Sequence, residues 1–180
     1  MQALVCIKTR RSVRSFTEQP VSRELLTDII EAASFAPSWK NTQTARYVVI
    51  EDRELINRLA DDCVLGFEHN AKIMKNSAAV ILLTCVKGRS GCERDGSFTT
   101  SKGDRWEMFD AGVAAQTFCL AAHEKGLGTV IMGIFDEDKV IETAEIPEGQ
   151  SVSAIIAIGH PAVSPEAPKR KDVSELITFK

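Results

Sequence analysis

The chain has 180 residues, 44% hydrophobic and 26% charged, the proportions of one globular domain able to bury roughly 70% of its unfolded surface. A formal net charge of −3 argues against a general nucleic-acid binder, whose affinity rests on neutralising phosphates. No apolar run approaches the ~20 residues that cross a bilayer, MQALVCIKTRRS carries no secretory pattern, and five scattered cysteines fit a reducing, cytoplasmic setting.

In chain order, Pro20-Val21-Ser22 announces a helix. Ser22 is its N-cap, Leu25, Leu26, Ile29, Ile30 and Ala33 form its stripe, and Pro37 sets its limit. Arg46–Ile50 reads as a short strand and residues 52–59 as a helix capped by Asp52. The continuous apolar run Ala78–Val86 predicts a strand buried on both faces. Residues 87–105 are polar and hold Gly88, Gly91, Gly96 and Gly103, which predicts a long functional or mobile loop. Trp106–Lys125 predicts a helix that is apolar nearly all round, broken between Asp110 and Glu124 only by Gly112, Gln116, Thr117 and His123. Such a helix is buried all round, which points to a central helix partly covered by a second subunit. Gly126 and Gly128 end it, Thr129–Phe135 predicts a strand, Asp136 caps a short helix over 137–143, and Val152–Gly159 predicts the last core strand. Helices outnumber strands and the strands are dispersed, so the expected class is α+β with a small sheet flanked by helices.

Four segments carry candidate chemistry. Arg10-Arg11-Ser12-Val13-Arg14 places three guanidinium groups and a hydroxyl where they can surround one phosphate through bidentate, charge-assisted bonds. Alone, the same run also reads as a solvated basic end. Pro37-Ser38-Trp39-Lys40-Asn41-Thr42-Gln43 follows a helix end and offers amide groups suited to a planar heterocycle, or is simply a polar turn. Gly126–Gly133 lacks dinucleotide-fingerprint spacing and a phosphate-loop lysine, yet Gly133 would let main-chain groups approach a ligand. The tail adds Lys169-Arg170-Lys171, able to join the first cluster on one phosphate.

Together with the DAGxAAQ run Asp110–Gln116 and the GLGT run Gly126–Thr129, these segments resemble, in order, the nitroreductase family of FMN-dependent oxidoreductases. The resemblance runs from about Arg10 to Ile177 and implies one nitroreductase-like FMN-binding domain over residues 1–180. The implied fold is a mainly antiparallel central sheet flanked by helices, with the long buried helix at a homodimer interface. By the same resemblance, Arg10, Arg11, Ser12 and Arg14 would hold the FMN phosphate and ribityl chain, helped by Lys169, Arg170 or Lys171. Pro37, Ser38, Trp39 and Asn41 would reach that flavin from the other subunit, and the backbone of Ile131, Met132 and Gly133 would face the ring edge near N5. Implied too are NADH or NADPH as donor and a flat acceptor such as a nitroaromatic or quinone, reduced by ping-pong hydride transfer. The alternatives are a flavin-storage protein, a reductive dehalogenase or a flavin-consuming enzyme. No side chain is nominated as acid, base or nucleophile.

The chain departs from the family after Gln43, where Thr44-Ala45 replaces a frequent Pro-Trp. Asn70 stands where larger members place a flavin-binding asparagine, but the nearby lysine spacing differs, so it stays outside the candidate set. Residues 87–105 or 62–76 take the place of the larger members' covering insertions, with Phe98 and Trp106 available to stack on an acceptor. Cys119 and His123 share a helix face at metal-compatible spacing but lack a third ligand, so no metal is expected. Neither a CxxC nor a GxSxG motif is present to support thiol redox or hydrolase chemistry.

Overall fold

Strands β1 (Ala45–Ile50), β2 (Ala79–Val86), β3 (Gly128–Met132) and β4 (Gln150–Gly159) pair antiparallel in the order β1-β2-β4-β3, in a computed structural model describing residues 2–180. The run in β2 is buried along all but its last residue because both sheet faces are covered. Strand alternation divides it: Val80 and Leu82 face one core cluster, and Ile81, Leu83 and Cys85 face the other. β4 does the same only because the register shifts opposite Leu83/Thr84, with Ser153 left out of the pairing. This bulge puts Val152 on the same face as Ile155 and Ala157, which simple alternation would forbid.

One face is covered by α3 (Arg53–Asp62), α4 (Glu68–Asn76) and α6 (Glu137–Thr143), the other by α2 (Arg23–Ala33) and α5 (Arg105–Glu124). The predicted caps are present: Ser22 accepts from Leu25 N–H, Asp52 from Leu55 N–H and Asp136 from Lys139 N–H. Two helices are absent from the sequence reading, α1 (Ala3–Thr9) and α4. α1 buries only Cys6, and α4 has no side-chain cap, so neither carries the usual start signal. The expected strand Thr129–Phe135 stops at Met132, where pairing with β4 ends.

The expectation that α5 is buried all round is not met within one chain. Its Ala111, Ala114, Ala115, Phe118, Cys119 and Ala122 pack inward, whereas Met108 and Phe109 are 58% and 61% exposed. The acidic Glu107 and Asp110 are buried in their place. A single sheet face covers only one side of a helix, so the other apolar side faces outward in the isolated chain.

The segment after α1 covers the free edge of β3. Ser12 bridges Thr129 in parallel, and Val13 N–H donates to the Thr129 carbonyl at 2.9 Å. Val13 is buried against Gly128, where an added Cβ would lie 2.7 Å from the valine side chain. Glycine there admits the close approach of the two backbones, and this contact fixes where the N-terminal arginines stand.

Candidate functional site

Extended chain along β3 separates Arg10 from Arg14 by four residues, about 13 Å, and opens a cleft at each end. The first, about 420 Å³, is lined by Thr9, Arg10, Arg11, Val13, His123, Gly126–Thr129 and Pro161–Pro165. Arg10 is half-buried there, and its Nε is buried with no hydrogen-bond partner. A buried, unpaired guanidinium donor is costly unless a ligand or water accepts from it. Arg11 is turned back on its own backbone, its Nη1 donating to the Lys8 and Arg10 carbonyls at 2.8 and 2.9 Å.

The second cleft, about 590 Å³, is lined by Arg14, Phe67, His69, Asn70, Ile73 and residues 130–134. Arg14 is exposed and its guanidinium lies over the Ser12 carbonyl at 3.3 Å. Asn70 is 6% exposed, its amide directed at the Ile134 carbonyl at 3.5 Å. Asn70, outside the candidate set, lies in the same cleft as Arg14 and Met132–Gly133. Its one signal in the sequence is the resemblance to the flavin-binding asparagine of larger members; the helix that carries it has no capping side chain to announce it. Gly133 meets open space where a Cβ would be, so packing within the chain does not require a glycine there. Ile131, Met132 and Gly133 line this cleft at the end of β3, with Ile131 and Gly133 exposed and Met132 buried.

Pro37, Ser38, Trp39 and Asn41 stand apart from both clefts. Pro37 and Ser38 line a cavity of about 300 Å³ against Asp110, Ala114 and Tyr47. Lys40, Asn41 and Gln43 all take left-handed backbone conformations (φ 46°, 55° and 50°), a concentration of strain that persists only where surroundings impose it. Here Asp110 accepts Trp39 N–H and Ser38 Oγ accepts Gln43 N–H, each at 2.9 Å. Tyr47 beneath the turn is half-buried with its hydroxyl buried and unpaired, and desolvation pushes its pKa up to about 12.

The 87–105 loop docks on this turn. Trp106 packs on Trp39 with ring centroids 4.7 Å apart, and Lys40 pairs with Glu93 at 3.0 Å. The Thr99 hydroxyl and the Lys40 ammonium hold Glu93 below its usual carboxylate range. The loop is therefore tied down along part of its length: Ser90 and Gly91 are buried, while Phe98 is 59% exposed. Lys169, Arg170 and Lys171 lie exposed in the extended tail, and among the described residues no hydrogen bond or ion pair joins them to the arginines.

The donors fit a ligand with a phosphate at one end and a planar, amide-like heterocycle at the other. Arg10 supplies the unpaired cation, and Asn70, Arg14 and the β3 backbone supply the edge contacts. Among the described residues no helix is long and apolar enough to cross a membrane.

The nitroreductase family model matches residues 7–75 and 67–160. A putative NADH dehydrogenase/NAD(P)H nitroreductase of Methanothermobacter thermautotrophicus is 30% identical over 169 residues, covering 92% of this chain and 80% of the relative. The FMN reductase [NAD(P)H] of Bacillus subtilis is also 30% identical, covering 89% of this chain and 66% of the relative. A crystal structure of an oxidoreductase containing FMN, 29% identical, superposes with a TM-score of 0.72 over 88% of this chain and 76% of its own. With a mixed α+β fold, an antiparallel sheet and a family match over most of its length, the chain belongs to the nitroreductase family.

Proposed function

We propose that this chain is an FMN-dependent NAD(P)H oxidoreductase, with residues 1–180 forming one FMN-binding domain that works as a homodimer. The observation that carries the reading is the buried, unpartnered Nε of Arg10 at one end of the β3 edge, with Asn70, Arg14 and Gly133 at the other. Bound FMN would supply a ring that accepts hydride at N5 from NADH or NADPH and returns it to a second substrate by ping-pong exchange.

The protein's own part is to bind, orient and shield. Arg10 would hold the phosphate, with Arg11, Ser12 and one of Lys169, Arg170 or Lys171 assisting there and along the linking chain. Arg14 and Asn70 would give a cation and an amide to the polar edge of the heterocycle. The open space at Gly133 lets the main chain of Ile131–Gly133 approach the ring without a Cβ between them. Pro37, Ser38, Trp39 and Asn41 line neither of these clefts within one chain. The exposed Met108 and Phe109 of α5 supply an apolar surface through which a second copy would bring them over. Trp39 and Trp106 then wall a flat space suited to nitroaromatic or quinone acceptors.

Anaerobic mixing tests this directly. FMN-loaded protein should bleach on adding NADH or NADPH and recover its absorbance when a nitroaromatic or quinone is supplied. Bound flavin that stays oxidised with both donors would instead support a storage protein.

A further inference from the structure

His123 lies in the wall of the Arg10–Arg11 cleft and has no part in the function proposed above. Gly126 ends α5 in the left-handed region (φ 81°), with Leu127 N–H returning to the Ala122 carbonyl at 2.9 Å, so the imidazole is held against the end of α1. Its Nε2 is 2.9 Å from the Thr9 hydroxyl, which in turn is 2.7 Å from the Val5 carbonyl. This contact anchors the ring at Nε2, and once protonated the imidazole is a donor at both ring nitrogens.

Charged groups face this ring from two sides. Arg10 and Arg11 stand on the segment after α1, and Glu124 is its neighbour on α5. The nearby thiols of Cys6 and Cys119 are pushed up by burial and stay neutral. Leu127–Thr129 and Pro161–Pro165, which complete the cleft, carry no charge. Burial first, and then the two guanidinium groups, hold the imidazole below its ordinary pKa. A helix C-terminus favours a cation and disfavours a bare anion, so a phosphate placed here gains from every positive group that can form.

We propose that His123 takes up a proton when a phosphate dianion docks beside Arg10 and Arg11, which makes retention of a phosphate-bearing flavin proton-linked. The inference rests on the FMN reading for the identity of the phosphate. A dianion cancels the repulsion from both guanidinium groups and adds an attraction, so the pKa of His123 is higher in the complex than in the free protein. Binding is then tightest below the free-state value and weakens as pH rises through the bound-state value. Each unit of difference between the two is a tenfold change in Kd. The second ionisation of the phosphate, near pH 6, acts in the opposite sense but equally on every variant.

The test measures Kd for FMN and riboflavin from about pH 6.5 to about pH 8.5, in the wild type, His123→Gln and Arg10→Ala. It also follows the histidine ring protons by NMR with and without FMN; three histidines in the chain keep that spectrum simple. Expected is a Kd for FMN that rises about threefold to tenfold across the window in the wild type. His123→Gln should show no rise, riboflavin should be indifferent to pH, and the His123 ring should titrate at higher pH when FMN is bound. An equal rise in His123→Gln overturns the inference, as does a ring that titrates identically with and without FMN. The NMR measurement stands even if the variant folds poorly. Arg10→Ala that weakens FMN beside an unmoved His123 defeats only the proton linkage. Arg10→Ala with unchanged FMN affinity defeats the phosphate site itself.

Discussion

The Asp110 carboxylate accepts the backbone N–H of Trp39 at 2.9 Å, and the same oxygen accepts the Ser90 hydroxyl at 2.7 Å. One buried side chain of α5 thus ties together the strained turn and the long loop, which are distant in sequence. Asp110→Ala leaves two donors without an acceptor where Asp110 and Ser90 are buried, a cost of about 1–3 kcal/mol. Asp110→Asn keeps an acceptor oxygen and should lose less. Urea midpoints give the stabilities, and proteolysis near residues 92–98 should quicken in the alanine variant. Identical behaviour of the two variants would show that acceptor geometry is not what matters.

Arg10 and Arg14 stand at opposite ends of the β3 edge, so their removal should have different effects. Arg10→Ala is expected to weaken FMN at least tenfold, from loss of charged hydrogen bonds of about 1.5–3 kcal/mol, while riboflavin binding changes little. Arg14→Ala and Asn70→Ala should weaken FMN and riboflavin to similar extents, because both line the cleft proposed above for the heterocycle. Fluorescence titration with the two flavins separates the cases. An Arg14 effect confined to FMN would move the phosphate to that end.

Met108 and Phe109 present apolar surface on the helix that also carries Asp110. Phe109→Lys should convert a dimer to a monomer in sedimentation velocity and weaken FMN, because Trp39 and Asn41 of a second copy are withdrawn. Mixing Arg14→Ala with Asn41→Ala protein, after subunit exchange, should restore part of the activity through one intact site. A monomeric wild type that holds FMN tightly would remove the two-chain site.

Gly91 lies under Trp106 with φ 78°, and a Cβ there would sit 2.5 Å from the Gly103 carbonyl oxygen and 2.9 Å from Trp106 Cδ1. Gly91→Ala therefore combines a disfavoured backbone with a clash, and should destabilise by about 1–3 kcal/mol. Trimming only residues 93–98 spares Ser90 and the Thr100 hydroxyl that accepts Trp106 Nε1–H at 3.0 Å. That trimming should leave FMN binding intact while changing kcat/KM unequally for nitroaromatics and quinones. Unchanged ratios would make the loop a bystander and assign acceptor choice to residues 62–76.

Glu107 is 9% exposed, and burial pushes its carboxyl above the ordinary range despite the Gly88 N–H at 2.6 Å. A carboxyl with a raised folded-state pKa holds its proton longer in the folded chain than in the unfolded one. Its contribution is most favourable below the unfolded value, near pH 4.3, and is lost as pH rises through the folded value. Glu107→Gln keeps an acceptor for Gly88 and removes the buried charge. It should melt higher than the wild type at pH 7, with the difference shrinking towards pH 4, as calorimetry across that range would show.

Much of the fold was legible because its signals are local. Ser22, Asp52 and Asp136 cap the helices they announce, and the Ala78–Val86 run reads as the buried central strand it forms. What escaped were α1, which buries little, and α4, which starts without a capping side chain. Asn70 was legible only through the resemblance, because its place in the Arg14 cleft depends on how α4 packs. The bulge at Ser153 was equally invisible, since it exists only in the pairing of β4 with β2.

The sequence by itself determined the α+β class, the boundaries of its strongest elements and the ordered motifs by which the family is recognised. Those follow from side-chain period, capping chemistry and residue type, each readable within a few neighbouring positions. Only the tertiary structure decided that Arg10 and Arg14 line different clefts, that Asp110 joins the turn to the loop, and that α5 leaves Met108 and Phe109 uncovered. These depend on which strand edge the N-terminal segment lies along and on which helix side the sheet covers. They are relations between distant segments, set by burying apolar surface across the whole chain rather than by any local pattern.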